Sequence, residues 1–249
     1  YGETTINYNR DVEIFPVLNA MFEKISGESP YKSPTDLGVN MAGNCICDDE
    51  VCKEASRQEI IRRYYNALNG LVYGTSTEEE VMKIELIMKQ VGVSKTDRQV
   101  VNAALKRSEE TDGPAAAMEL ADGTSVTGKT TDLLGASAAL LLNALKILAD
   151  IDHKKKVISP AAIRPIQKLK TEYLGSRNPR LHTDEVLIAL STSAENNPDA
   201  QAALAQLPKL AGCQVHTSVL LSSVDIKTFK RLSIQFTSEP VYESKRIYH

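Results

Sequence analysis

The residues best suited to chemistry lie in "GTSVTGKT", residues 123–130, which fits the phosphate-binding pattern G-x-x-x-x-G-K-[ST] through Gly123, Gly128, Lys129 and Thr130. In such a loop the glycines let backbone approach a phosphate, the amides of the following helix point at its oxygens, and the lysine and hydroxyl complete the cradle. That chemistry also needs a buried apolar strand leading into the first glycine. "MELAD", ahead of Gly123, is short and acidic, and Asp122-Gly123 reads better as a hairpin turn with Gly123 at positive φ. The pattern itself arises by chance in roughly one chain in a hundred of this length, so context must decide. After Thr130 the sequence predicts a long apolar helix capped by Thr130 or Thr131. Lys129, Thr130 and Thr131 could then hold a phosphate or carboxylate at its amino end without a full loop. A full loop also wants a downstream carboxylate for magnesium. Asp225, ending "VLLSSVD", is the nearest candidate, although it reads as the start of a new helix.

A second anion-binding pattern is "SRNPRLHTDE", which places Arg177, Arg180 and His182 on a loop around Asn178-Pro179, just before a helix with Thr183 as its expected cap. Two guanidiniums and an imidazole beside a helix amino end suit an anionic ligand; a polar interdomain surface is the plainer reading. His182 is the one candidate general acid or base. In "EASRQEIIRRYY", Arg57 and Arg63 either pair with Glu54 and Glu59 along a helix or turn toward an anion. Ser159, Arg164 and Lys168 stand near another helix start. Cys45, Cys47 and Cys52 crowd together with Asp48, Asp49 and Glu50, but no paired Cys-x-x-Cys elements are spelled, so no metal set is assigned. The histidines His153, His182, His216 and His249 are scattered and form no HExxH motif. No cofactor is identified.

These groups must be positioned by a fold, and the rest of the chain predicts one. Of 249 residues, 42% are apolar and 24% charged, and the net charge is -3, which suits a globular protein and argues against general affinity for nucleic acid. The longest apolar run, "ASAALLLNALKILADI", is interrupted by Asn143 and Lys146 and is too short to span a bilayer. Three cysteines within eight residues suit reduced thiols in the cytoplasm. The chain opens on Tyr1, as part of a longer polypeptide would. Up to residue 112 it reads as a helical bundle of about four members. Val12, Phe15, Leu18, Phe22 and Ile25 share one face of the first helix, with Asn9 or Asp11 as cap and Pro16 near it. Residues 26–44 read as a long loop. Gly70 closes the second helix, Thr77 and Glu80 form a capping box, and Gly92 stands near the next stop. From 113 to 249 the pattern becomes α/β, with a hairpin, the apolar helix, strands at "KKVI", "CQVHTSVLL" and "SIQFTS", and helices between them.

The strings "YGETTINYNRDVEIFPVL", "LGVNMAG", "EASRQEIIRRYY", "GKTTDLLGASAALLLNALK" and "SRNPRLHTDEVLIALS" together resemble a bacterial family filed as domain of unknown function 1846. The resemblance covers essentially the whole chain and matches it to the C-terminal half of longer members. It implies an N-terminal α/β half with its own glycine-rich, lysine-containing segment as a partner in the same polypeptide. It also implies a helical subdomain followed by an α/β subdomain of deaminase-like topology. Some members carry the label of ATP-dependent peptidase or zinc protease, which no residue here supports. The leading functional expectation is an enzyme acting on a phosphorylated or nucleotide-like small molecule. The alternative is a non-catalytic assembly or regulatory module making homo-oligomer contacts.

Overall fold

The computed structural model describes residues 8–28 and 49–243, with side chains from 17–28 and 54–243. Most of the loop expected over 26–44, the side chains of Cys45, Cys47 and Cys52, and His249 lie outside the described residues. The chain divides into two compact units, residues 1–98 and 99–249. Together they make an α+β protein. No described helix is long and apolar enough to cross a membrane.

The first unit contains α1 (Tyr8–Ser26), α2 (Asp49–Tyr73) and α3 (Glu78–Val91). Apolar residues at helical spacing, among them Ile61 and Tyr65 of α2 and Val81 and Ile87 of α3, are buried as α3 packs against α2. The Thr77–Glu80 capping box forms in both directions and Gly92 closes α3 in the left-handed region. Three expectations need correction. α1 begins at Tyr8, ahead of Asn9 and Asp11, so Pro16 lies well inside the helix. Ile25, in the last turn, is 76% exposed instead of sharing a buried face. α2 also runs past Gly70 to Tyr73. The amides of Thr75 and Ser76 fold back onto the Gly70 carbonyl at 2.8 and 3.2 Å. A Cβ at Gly70 would stand 2.2 Å from the Ser76 hydroxyl oxygen, so that glycine permits a close approach and does not end the helix.

The second unit opens with α4 (Gln99–Thr111), which the sequence groups with the helical half but which packs on the sheet through Val100 and Ala104 against Ala117. The strands are β1 (Ala115–Glu119), β2 (Ser125–Lys129), β3 (Gln214–Thr217) and β4 (Gln235–Ser238), in the order β2-β1-β3-β4. β1 runs antiparallel to both neighbours, and β3 and β4 are parallel. The other helices are α5 (Ala136–Leu148), α6 (Pro160–Lys168), α7 (Thr183–Ala194), α8 (Pro198–Leu204) and α9 (Ser223–Arg231). β1 is sandwiched, with Ala116 and Met118 in the main core on one side and Ala117 facing α4 on the other. Its alanines let helices close on both faces. α5, apolar nearly all round, is buried at nine of its thirteen residues, as expected of a central core helix.

The expected hairpin is present. Gly123 takes φ 81° at the turn, its amide donates to the Leu120 carbonyl, and Asp122 accepts from the Thr124 amide. β2, however, continues through Gly128 and Lys129, and α5 starts only at Ala136 with Gly135 as its cap. Neither Thr130 nor Thr131 caps it. Residues 133–135 pair instead with Leu181: Leu134 bridges to it, the Leu133 carbonyl accepts its amide at 2.9 Å, and the Gly135 amide donates to its carbonyl at 3.1 Å. The Thr131 hydroxyl closes a local turn by accepting from the amides of Leu133 and Leu134 at 3.3 and 3.0 Å. Gly128 lies directly under α5, where a Cβ would come within 2.2 Å of the Leu140 nitrogen. The three parts of the phosphate-loop spelling are thus a turn, a helix-packing site and an exposed strand end.

"KKVI" forms no strand. The carbonyls of His153 and Lys155 accept from the Lys146 ammonium at 2.5 and 2.7 Å, which folds the segment after α5 into turns. Burial pushes the Lys146 pKa down, partly countered by Asp152. Thr183 is the first helical residue of α7, and His182 holds the cap position expected for Thr183.

Candidate functional site

β2 and β3 are both antiparallel to β1, so their carboxyl ends share one end of the sheet. From there β2 leads into α5 and β3 into α9. Outside that edge lies a pocket enclosing, with its open mouth, about 460 Å³. This is the customary location for a small-molecule site at the edge of a layered sheet. Thr130 and Thr217, at or just beyond the strand ends, form part of its wall.

Three helix amino ends meet there. The first is α5, which contributes Ala136, Ser137 and Ala138 to the wall and has no side-chain cap at Gly135. The first amides of a helix have no partner within it and carry its positive dipole end. The second is α7, whose cap residue His182 lines the pocket. Its amide donates to Glu185 at 2.8 Å, one half of a capping box. The third is α9, where the Ser222 hydroxyl caps the helix by accepting from the Asp225 amide at 3.1 Å.

Asp225 ties the last two together. One carboxylate oxygen accepts from the Thr183 amide at 3.0 Å, and the other from the Ser222 hydroxyl at 2.7 Å, with His182 Nδ1 at 3.3 Å. The Asp225 hydrogen bond raises the His182 pKa above the ordinary imidazole value, outweighing the opposing burial. Burial pushes the Asp225 pKa up, but the hydrogen bond and charge of His182, the Thr183 amide and the Ser222 hydroxyl together hold it below the ordinary carboxylate value. Charged forms of both residues therefore support one another. With Nδ1 engaged, Nε2 is the ring nitrogen available to a ligand or proton acceptor.

Arg180 also lines the pocket, where its guanidinium donates to Glu243. Its amide is held by Asn178 at 3.1 Å. The structure thus gathers Thr130, Arg180 and His182 from the sequence candidates. Lys129 and Thr131 are exposed and do not line the pocket, and neither does Arg177, exposed on the same loop as Arg180. Arg57 and Arg63 belong to α2 in the first unit, where Arg63 pairs with Glu59 at 3.0 Å and Arg57 is exposed. Ser159 caps α6, Lys168 pairs with Glu172, and Arg164 is exposed. Sequence reasoning missed Ser222 and Glu243 and weighed Asp225 only as a magnesium ligand. The Ser-x-x-Asp spacing of Ser222 and Asp225 is a capping signature that marks a helix start. Nothing in it says which cap faces His182.

Two family models cover nearly the whole chain. Residues 96–248 match "Domain of unknown function DUF1846, C-terminal" and residues 1–92 match "Domain of unknown function DUF1846, N-terminal". The chain therefore carries residues of both domains and is not confined to the C-terminal one. A UPF0371 protein of Corynebacterium urealyticum is 55% identical over 248 residues, covering 100% of this chain and 50% of the relative. One from Corynebacterium efficiens is 56% identical and one from Streptococcus thermophilus 51% identical, with the same coverage. The chain spans about half the length of these curated relatives. On the strength of both models and these identities, the chain belongs to the DUF1846 family, whose curated members bear the name UPF0371.

Proposed function

We propose that the pocket binds a phosphorylated or nucleotide-like small molecule, with its anionic group at the amino end of α5 and His182 beside it as proton donor and acceptor. The observation carrying this reading is that the uncapped α5 terminus and the His182–Asp225 pair line the same pocket. Unpartnered amides favour an anion, and an imidazole poised by a carboxylate suits proton transfer near neutral pH. Arg180 is balanced by Glu243, so its role is to orient the ligand without adding net charge. The strand order β2-β1-β3-β4, with β1 antiparallel to its neighbours, supports a deaminase-like reading of the sheet unit, although topology alone carries no activity.

Gly135→Asp tests the anion site. Gly135 has φ -67° and ψ 160°, which any residue adopts, and a Cβ there meets nothing closer than the Leu181 carbonyl at 3.7 Å. The new carboxylate would cap α5 and occupy the anion's place. In thermal-shift measurements with inorganic phosphate, nucleotides and sugar phosphates, a ligand at 100 times its Kd adds about 2.7 kcal/mol. For a protein of this size that is roughly 5–10 °C. The parent is expected to show such a shift with one of these ligands, while Gly135→Asp melts no lower than the parent without ligand and shows little shift with it. No shift with any of them, or equal shifts in parent and variant, counts against the proposal.

A further inference from the structure

The segment between α6 and the 177–182 loop reverses the usual distribution of side chains. Residues Leu169–Tyr173 form a π-helical turn, closed by the Leu174 amide on the Leu169 carbonyl at 3.1 Å. Leu169, Tyr173 and Leu174 are 49%, 73% and 70% exposed, whereas Lys170 is only 6% exposed. Placing apolar groups in water and an ammonium in the interior costs free energy on both counts, so the lysine must meet strong partners. Its ammonium donates to the Arg180 carbonyl at 2.6 Å and to Glu185 at 2.7 Å. The same Glu185 oxygen accepts the His182 amide.

We propose that Lys170 is a positioning residue, which holds the backbone of residues 180–182 through Glu185 and the Arg180 carbonyl so that the His182 ring stays against Asp225. This rests on the proposed role of His182 in proton transfer. Lys170 lies seven residues after buried Ile163, about two helical turns, so it continues the inward face of α6, and the π turn that starts at Leu169 follows it into the 177–182 loop; such turns recur at functional sites. His182 is thereby gripped from two sides. Glu185 holds its amide, while Asp225 holds its ring and the next amide.

The charged groups acting on His182 are Asp225 from α9, Glu185 from α7 and Lys170 from the π turn. They give the test a sign. As a bare charge, Lys170 lowers the His182 pKa, so its removal would raise that pKa. As a positioning residue, its removal frees His182 from Asp225 and lets the pKa fall toward about 6.5, the ordinary value. The experiment is an NMR titration of the imidazole signals of the full chain, with His182 assigned among the four histidines by comparison with His182→Gln. Lys170→Met is expected to lower the His182 pKa; an unchanged or raised value overturns the proposal. A stranded Glu185 could keep that variant from folding. Lys170→Met combined with Glu185→Gln removes both charges and leaves none buried alone. Their opposite direct influences on His182 also oppose one another, so a fall toward 6.5 again supports positioning and a pKa at the parent value refutes it. No ligand is present in either titration, so the outcome is separable from success or failure of the ligand-binding proposal.

Discussion

Replacing Gly128 by alanine separates the two meanings of the "GKT" triplet. A Cβ at this position would stand 2.2 Å from the Leu140 nitrogen, 2.6 Å from its Cα and 2.8 Å from the Ala136 carbonyl oxygen. Non-bonded contacts settle near ~3.5 Å, so α5 must retreat from β2 by roughly 1 Å. All three atoms are backbone, and no side-chain rotation can relieve them. Because α5 is buried at nine of thirteen residues, including Leu141 and Leu145, its retreat loosens contacts around the core. Overpacking by one methyl typically costs about 1–3 kcal/mol, and a backbone-only clash belongs at the upper end. The reduced freedom of the unfolded alanine chain returns about 0.4–1 kcal/mol. The net loss is roughly 2 kcal/mol, or about 4–8 °C in Tm for a protein of this size. Urea unfolding followed by circular dichroism reads this directly. Two controls frame it. Gly123→Ala has open space but φ 81°, and should lose about 1–2 kcal/mol through backbone strain. Lys129→Ala, at an exposed strand end, should stay within about 0.5 kcal/mol of the parent. A Gly128→Ala protein as stable as the parent would refute the packing argument, all the more so if it had also lost phosphate binding.

The His182–Asp225 pair makes stability depend on pH in two windows. His182 has a folded pKa above its unfolded value, so its contribution is complete below about pH 6.5 and fades as pH rises through the folded pKa. The difference in urea midpoint between parent and His182→Gln should therefore be larger at pH 6 than at pH 9, and equal differences would contradict the pairing. Asp225 has the opposite sign, with a lowered folded pKa whose contribution is present above the ordinary carboxylate value and lost as pH falls through the folded one. Asp225→Asn, which disturbs bonds to Thr183, Ser222 and His182, is expected to cost roughly 2–3 kcal/mol at pH 7. In acid-series unfolding its deficit should shrink toward the low end of the pH range; a deficit independent of pH would count against an ionised Asp225. In the first unit, Thr77→Ala removes the side-chain acceptor of the α3 capping box and should cost about 1 kcal/mol, seen as faster hydrogen exchange of the Glu80 amide.

Much of the fold was legible because its signals are local. The Thr77–Glu80 box, the Asp122-Gly123 turn and the apolar run of α5 depend on residues within a few positions of each other. Errors arose where distant partners decide. Whether α5 begins at Thr131 or Ala136 depends on Leu181, which pairs with residues 133–135. Whether "KKVI" is a strand depends on Lys146 taking the Lys155 carbonyl, and that of His153 just before it. β1 is mostly alanine, a poor strand former by itself, and earns its place by fitting between two helices. Of the residues that line the candidate pocket, His182, Arg180 and Thr130 stand out in the sequence by type and neighbourhood. Lys129 and Thr131 lie outside the pocket because the pattern assumes a helix that follows at once, whereas α5 starts only at Ala136. Asp225 and Glu243 reach the pocket only through the tertiary fold, and one-dimensional spacing carries no trace of that.

The central position of β1 has a temporal consequence. Its first partner, β2, follows after a short turn, but its other neighbour, β3, arrives much later, as the Ala115 amide and Ser218 hydroxyl, joined at 3.0 Å, are 103 residues apart in sequence. Closing so long a loop is slow compared with forming a hairpin. During synthesis, the β1–β2 hairpin and α5 therefore emerge well before the strand that completes the sheet, and β1 spends that interval as an open edge with an apolar helix beside it. Such an intermediate is prone to pair with other chains. The pocket belongs to the last step, because Asp225 must leave the ribosome before His182 can find its partner.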